Sequence, residues 1–449
     1  MLRRSAISLL FLSLALTASA RTRPHYGGTL RAEVEGDPWN GPDGLARSLI
    51  YDGLTRLDPD GSVRPALAVE WQSESDNHRW QFHLRPGVLF HDGSPLTAAA
   101  VVQSLNLSCN AACPWTAVRP VGSSIVFTAE SPMPNLPALL AGDQFLVALT
   151  VTANGRPPAI PTGTGAFRFA GFADGLMTLA ANESSWQGRP FADQIQIRTH
   201  RAIRDQWLDL SLGHADIVEV PPEELRQAQQ QHLAATVSPL VQLLALQVSD
   251  SGPLSSSMLR AALAQAVDRS ALFNVIYQKQ GEIAASLLPQ ELTGYAFLFP
   301  AARDLKKSSE LRGGLTPSPL TLGFETGGTT ELAAQRLALN LREAGFEILL
   351  VPASAATRTA LTLRKLPLDA APPSAAIEAL LRAAGEAASV ANTTPTALYH
   401  AERDFLDRCT LVPLLYLPRA YATGPRVRDL QLTASGTPDL ASVSLEDAP

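Results

Sequence analysis

Residues Trp71–Leu105 read WQSESDNHRWQFHLRPGVLFHDGSPLTAAAVVQSL. Trp80, Phe82 and Leu84 alternate with Arg79, Gln81 and His83, and this period of two marks a half-buried strand. Arg85-Pro86-Gly87 turns the chain, and Val88-Leu89-Phe90 reads as the returning strand of a hairpin. His91-Asp92-Gly93-Ser94 is a second turn, because Asp-Gly tolerates positive φ. Thr97 stands where an N-cap hydroxyl belongs, ahead of a helical run from Ala98 to Leu105. The stretch is expected to fold as hairpin, tight turn and capped helix, and none of its residues forms a catalytic pattern.

Upstream, Arg3 and Arg4 precede an apolar run from Ile7 to Leu16, and Ala18-Ser19-Ala20 follows as a small-residue cleavage site. This pattern predicts a secretory leader over residues 1–20, cut after Ala20, and hence a periplasmic protein. The apolar run is too short to span a bilayer comfortably, no cysteine follows it for a lipid anchor, and no other segment reads as a membrane helix. The remaining chain of about 430 residues predicts two or three domains. A content of 46% hydrophobic and 17% charged residues is that of an ordinary globular protein. The formal charge of −6 becomes −8 once Arg3 and Arg4 leave with the leader, and this acidic balance argues against a nucleic-acid partner.

Of the three cysteines, Cys109 and Cys113 could close a short disulfide in an oxidising compartment, leaving Cys409 over. The pair could instead remain free buried thiols. A metal site is a weaker reading, because C-x-x-x-C has no histidine or second cysteine pair nearby. The sequence lacks G-x-S-x-G and H-E-x-x-H, so no catalytic residue, cofactor or metal is expected. His83 and His91 could approach each other across the hairpin turn, but they read as surface or capping histidines.

Elsewhere, Leu30, Ala32 and Val34 alternate after Gly27-Gly28-Thr29, and Ile125–Ala129 and Phe191–Ile197 read as further strands. Gly163 and Gly165 predict a tight loop with positive φ. Gly213 is expected at the end of a helix over Trp207–Leu212, with Asp216 a structural turn residue. Leu243–Gln247 is a buried strand. Leu259, Leu263, Ala266 and Val267 share a helical face, and Asp268 or Ser270 can cap the helix that follows. Strand Leu320–Phe324, helix Thr330–Ala344 and strand Phe346–Val351 form a βαβ unit on a parallel sheet. A helix over Tyr399–Phe405 leads into the apolar strand Leu411–Tyr416.

The order W…(D/N)-x-x-x-W-x-F-x-L-R-x-G-V-x-F-H-D-G-x-P-L-T-A, from Trp71 to Ala98, resembles the signature of family 5 extracellular solute-binding proteins. These are the peptide-, dipeptide- and nickel-binding components of ABC importers. Gly27–Leu30, Tyr51–Leu54, Pro65–Ala68, Pro161–Phe167, Gly213–Asp216, Arg260–Arg269 and Leu411–Tyr416 are similar to further family segments, with Ala166 and Phe167 replacing the usual Pro and Tyr. The resemblance implies an α/β, periplasmic binding protein-like fold of the type II, peptide-binding class, with two lobes, a hinge and an additional small domain. Lobe I would comprise 21–47, 155–240 and 424–449, the small domain 48–154, and lobe II 241–423.

By the same resemblance, Asp37 and Trp39 belong to a loop near the ligand cleft, although an ordinary Asp-Pro turn with a packed Trp competes with that reading. Gln247 stands on an interlobe strand where Asn is usual, and Tyr416 closes the P-L-Y segment. Asp369 is the nearest counterpart of an aspartate that pairs with a peptide's amino terminus in relatives. The absence of the usual aromatic and second Asp-Pro favours a degenerated loop there. The implied function is capture of a peptide-like or other small solute by lobe closure, and its delivery to an ABC permease by a monomeric protein without cofactor. The alternative is a non-transport periplasmic sensor or interaction protein on the same fold, suggested by the short Pro352–Thr394 region and the altered Asp37 loop.

Overall fold

The computed structural model describes residues 25–39, 45–109, 113–151, 158–295, 299–315, 318–326, 328–352, 358–368, 371–385 and 394–446. The expected leader and Asp369 lie outside them. One sheet of eleven strands runs through both halves of the molecule. Its order is Ile348–Pro352, Leu320–Phe324, Leu361–Pro367, Ala234–Val248, Leu411–Thr423, Ile217–Glu219, Thr29–Glu33, Gln194–Arg198, Leu176–Ala181 and Phe167–Ala173, with Glu282–Ile283 added alongside Leu411–Thr423.

Helices cover both faces, so buried side chains line the sheet on each side. In the first half, helix Leu45–Ile50 and the C-terminal tail pack one face, where Leu30, Ala32, Ile50, Ile195, Leu440 and Leu445 are buried together. Helices Ile203–Ser211 and Leu225–Gln230 cover the other, joining Trp207, Leu210 and Ala228 to Ala420 and Ala422. In the second half, helices Ser257–Ala266 and Gly328–Glu343 lie on one face and Pro373–Ala383 and Pro395–Leu406 on the other. The expected βαβ unit is present, with Leu320–Phe324 and Ile348–Pro352 paired in parallel.

The small domain has a four-stranded sheet, ordered Ala68–Ser73, Arg79–Leu84, Ser124–Thr128, Ala117–Val121, against helix Ala98–Ser108. Thr97 caps that helix, its hydroxyl accepting from Ala100 N at 3.2 Å. Val88–Phe90 is not a returning strand. Strand Arg79–Leu84 already has partners on both sides. Segment 88–96 folds on itself instead, with Leu96 N donating to Val88 O and Phe90 N to Ser94 O, while Val88 and Phe90 enter the core. His83 and His91 do not meet, because His83 bonds Ser124 Oγ at 2.8 Å.

Asp216 is more than a turn residue. It is 2% exposed and accepts from the Arg31 backbone N and from Arg31 Nε and Nη2 at 2.9–3.0 Å, with Arg426 Nε 3.6 Å away. Gly213 has the expected positive φ of 70° after helix Ile203–Ser211. Asp268, rather than Ser270, caps the helical segment after Val267, accepting from Ala271 N at 2.9 Å. Cys109 and Cys113 are joined with their Cα atoms 5.7 Å apart, and Cys409 is free.

Candidate functional site

The small domain is fastened to the first half where three sequence motifs converge. His91 Nε2 donates to Gly165 O at 3.0 Å while its Nδ1 accepts from Gly163 N at 3.3 Å, which fixes a neutral tautomer. Burial lowers the pKa of this ring. Asp52 accepts from Thr164 Oγ1 at 2.7 Å, Trp186 Nε1 at 2.9 Å and Gln187 Nε2 at 3.0 Å. Gly163 and Gly165 do not have positive φ, contrary to expectation. They are needed for close approach, since a Cβ on Gly163 would sit 2.1 Å from Ile50 O and one on Gly165 2.4 Å from Leu49 O.

The strands Ala234–Val248 and Leu411–Thr423 run through both halves, and their pairing slips between Val237 and Leu240 and again before Gln242. Pro239 and Pro418 fall in these slips, where a missing N–H breaks the ladder. A side chain repairs part of the break, because Ser238 Oγ accepts from Arg419 N at 2.9 Å. With the Gln242 amide oriented to satisfy both groups, its oxygen accepts from Arg419 Nε at 3.0 Å and Nη2 at 3.2 Å. A charged residue is thus held at the bend of an otherwise apolar strand, 5% exposed.

Around this bend lie Arg47 of helix Leu45–Ile50 and Asp143 at the head of the small-domain turn Asp143–Phe145. Arg47 Nη2 donates to Asp143 O at 2.9 Å. Asp143 is exposed, yet the protein packed around its carboxyl raises its pKa, while Arg47 and Arg419 pull it back. On the same side, Ser374 Oγ of helix Pro373–Ala383 donates to Asn135 Oδ1 of the small domain at 2.9 Å, so the second half reaches across. Cations and an acid from three elements therefore gather at the seam between the halves.

The opposite face carries a second bridge. Glu223 Oε1 accepts from Thr329 Oγ1 at the start of helix Gly328–Glu343, linking first half to second. Burial raises the Glu223 pKa, Lys365 lowers it, and Glu224 and Glu35 raise it further. A polar pocket of about 580 Å³ lies at the N-terminal end of strand Thr29–Glu33, away from the seam, and is lined by Tyr26, Arg31, Gln196 and Arg426 among others. Among the described residues, no group of three or more His, Cys, Asp or Glu could hold a metal ion. No described helix is long and apolar enough to cross a membrane.

The residues expected at the site are not brought together as one cluster. Asp37 Oδ1 accepts from Trp39 N at 2.8 Å, and Trp39 packs on Phe169 at 5.8 Å. Gln247 donates to Ala384 O at 2.7 Å and accepts from Arg364 at 2.9 Å, so its amide is committed within the second half. Tyr416 is 4% exposed, donating to Ser286 O at 2.6 Å. Burial raises its pKa. Arg47, Asp143, Gln242 and Arg419 were not anticipated. Arg419 had a legible signal as the one charge in LVPLLYLPRAYAT.

Two α/β halves sharing two strands, with a small third domain, define the class of bilobal binding proteins. The oligopeptide-binding protein AppA from Bacillus subtilis, solved with a nonapeptide, superposes with a TM-score of 0.80 at 17% identity, covering 95% of this chain and 100% of that one. NikA from Staphylococcus aureus, solved with Ni(L-His)2, gives 0.78 at 16%, covering 93% and 100%. At such identities the likeness is one of fold. Heme-binding protein A of Haemophilus influenzae is 24% identical over 310 residues, 58% of this chain and 54% of that protein. Across three curated relatives, this chain spans 36% to 62% of their lengths. Residues 62–365 match the family model described as bacterial extracellular solute-binding proteins, family 5 Middle, and the chain belongs to that family.

Proposed function

We propose that this protein is the periplasmic substrate-binding component of an ABC importer, which captures a small solute and delivers it to a membrane permease. The observation that carries this reading is the seam. Two strands bent at Ser238-Pro239 and Pro418-Arg419 link the halves, and Arg47, Asp143 and Arg419 converge beside the bend. Rotation about that bend would close the second half over the charged wall, and closure is stabilised only by what the ligand gains in the closed state. In this reading the lobes divide near residue 240, lobe I takes back the tail from 424, and residues 48–154 form the small domain. Asp37 and Trp39 sit at the rim of lobe I, and the seam residues take the place of Gln247 and Tyr416.

The similar proteins that bind a nonapeptide, a nickel–histidine complex or heme lend support to a small-solute ligand, and a peptide-like one among them. A thermal-shift screen of the chain against peptides, nickel complexes, heme and sugars tests the reading. A ligand at a hundredfold excess over its Kd stabilises by about 2.7 kcal/mol, which is readily seen in the melting temperature. A screen in which no class shifts the transition would overturn it and favour the sensor or interaction-protein alternative. N-terminal sequencing of the exported protein tests cleavage after Ala20.

A further inference from the structure

The contact between Arg47 and Asp143 leaves both charges open. Arg47 Nη2 donates to the main-chain oxygen of Asp143, not to its carboxylate. Among the described residues, that carboxylate makes neither a hydrogen bond nor an ion pair, although Arg47 and Arg419 are within electrostatic reach. The elements that carry the two residues are anchored in separate cores. Leu45, Ala46, Leu49 and Ile50 anchor the Arg47 helix in the first half. Phe145, 2% exposed and packed on Trp115 at 5.2 Å, anchors the Asp143 turn in the small domain. An adjacent acid and base, each presented by a different element and not neutralising each other, form a preorganised pair of opposite charges.

We infer that this pair reads an α-amino acid head group, with the ammonium on the Asp143 carboxylate and the α-carboxylate on the Arg47 guanidinium. The inference rests on the solute-binding reading and narrows it. An ammonium and a carboxylate on one carbon can reach only an acid and a base that are themselves adjacent. A peptide separates its terminal charges by at least one further Cα–Cα step of about 3.8 Å. A simple amine would bring its charge up to Arg47 and Arg419, which disfavours it, and a simple carboxylic acid would leave the Asp143 carboxylate without a counter-charge of its own. The zwitterionic head meets opposite charge on each side.

The test is isothermal titration of the mature chain with the twenty free L-amino acids, with L-alanyl-L-alanine, and with the N-acetyl and carboxamide forms of every amino acid that binds. At least one free amino acid is expected to bind. Its N-acetyl and carboxamide forms should each bind about tenfold to a hundredfold more weakly, the range for losing one charge-assisted hydrogen bond. Asp143→Asn should weaken the free amino acid by a similar factor without lowering the melting temperature of the ligand-free protein, because among the described residues the carboxylate has no partner to lose and its raised pKa means that its charge does not stabilise the fold. Arg47→Met should weaken it as well, but not the carboxamide. Equal binding of N-acetyl and free forms, or binding only of compounds without an α-amino acid head, overturns this inference and leaves the solute-binding reading intact. Failure of the amino acids and of the whole thermal-shift screen overturns both.

Discussion

Glu402 provides a quantitative test of how the second half is packed. It lies on helix Pro395–Leu406, is 0% exposed, and faces the core that contains Leu287, Leu380 and Tyr416. Its Oε2 accepts from Leu287 N at 2.9 Å, and its Oε1 has no hydrogen-bond partner. Burial pushes its pKa up from 4.5 to about 7, against the pull of the Leu287 N–H. Because the folded pKa lies above the unfolded one, Glu402 contributes its full stability below pH 4.5 and loses that contribution as the pH rises through about 7. A shift of this size corresponds to about 3 kcal/mol at about 1.4 kcal/mol per pKa unit.

Glu402→Gln keeps the shape of the neutral acid and an acceptor for Leu287 N, but cannot ionise. Urea unfolding at about pH 4.5 and about pH 8.5, followed by near-UV circular dichroism, gives the comparison. The wild-type protein should lose about 3 kcal/mol more than the variant between the two conditions. Taking the difference between the proteins removes every other titrating group from the comparison. Parallel pH dependence in the two proteins would refute the reasoning, since it would mean that Glu402 is hydrated or paired in solution.

Gly163→Ala should destabilise the protein by about 1–3 kcal/mol, because the new Cβ meets the immobile Ile50 carbonyl rather than a flexible side chain. An unchanged urea midpoint would show that the joint can relax. Glu223→Ala removes the bridge to Thr329 on the face away from the seam. For any ligand that closes the seam, titration should then show about twofold to tenfold tighter binding, the worth of one hydrogen bond, and weaker binding would contradict an opposing role for that bridge. Non-reducing peptide mapping of the protein purified without reductant should recover Cys109 and Cys113 in one linked fragment with Cys409 alkylated, and recovery of all three as free thiols would exclude the pairing.

Local pattern made the strands legible. Thr29–Glu33, Arg79–Leu84 and Leu320–Phe324 alternate or run apolar, and each emerged close to where period and turn residues put it. Strand Leu361–Pro367 did not stand out. Arg364 and Lys365 interrupt its apolar run, and the surrounding Ala- and Pro-rich sequence reads as loop, yet it lies between two partners inside the sheet. The family motifs were visible one at a time, but His91 and Gly163 are 72 residues apart, and Asp52 and Trp186 are 134 apart. Spacing along the chain holds no information about such meetings, so the glycines were assigned to φ when they answer to crowding. The seam was hidden for the same reason. Asp143 sits in no periodic pattern, and only the fold puts it beside Arg47 and Arg419.

The path of the chain through the shared sheet has a consequence for the order of folding. The buried core of the small domain runs from Leu54 to Leu149, a continuous segment that can collapse without waiting for the rest of the chain. The core of the first half instead joins Leu30 and Ala32 to Tyr421, Leu440 and Val443. Strand Thr29–Glu33 is thus sealed by residues that lie far downstream in the sequence. Until they dock, its apolar side chains must be shielded by something other than their native neighbours, and assembly of the first half pays the loop-closure cost of nearly the whole chain. A truncation at the C-terminus would therefore injure the N-terminal strand before it injured anything nearer to the cut.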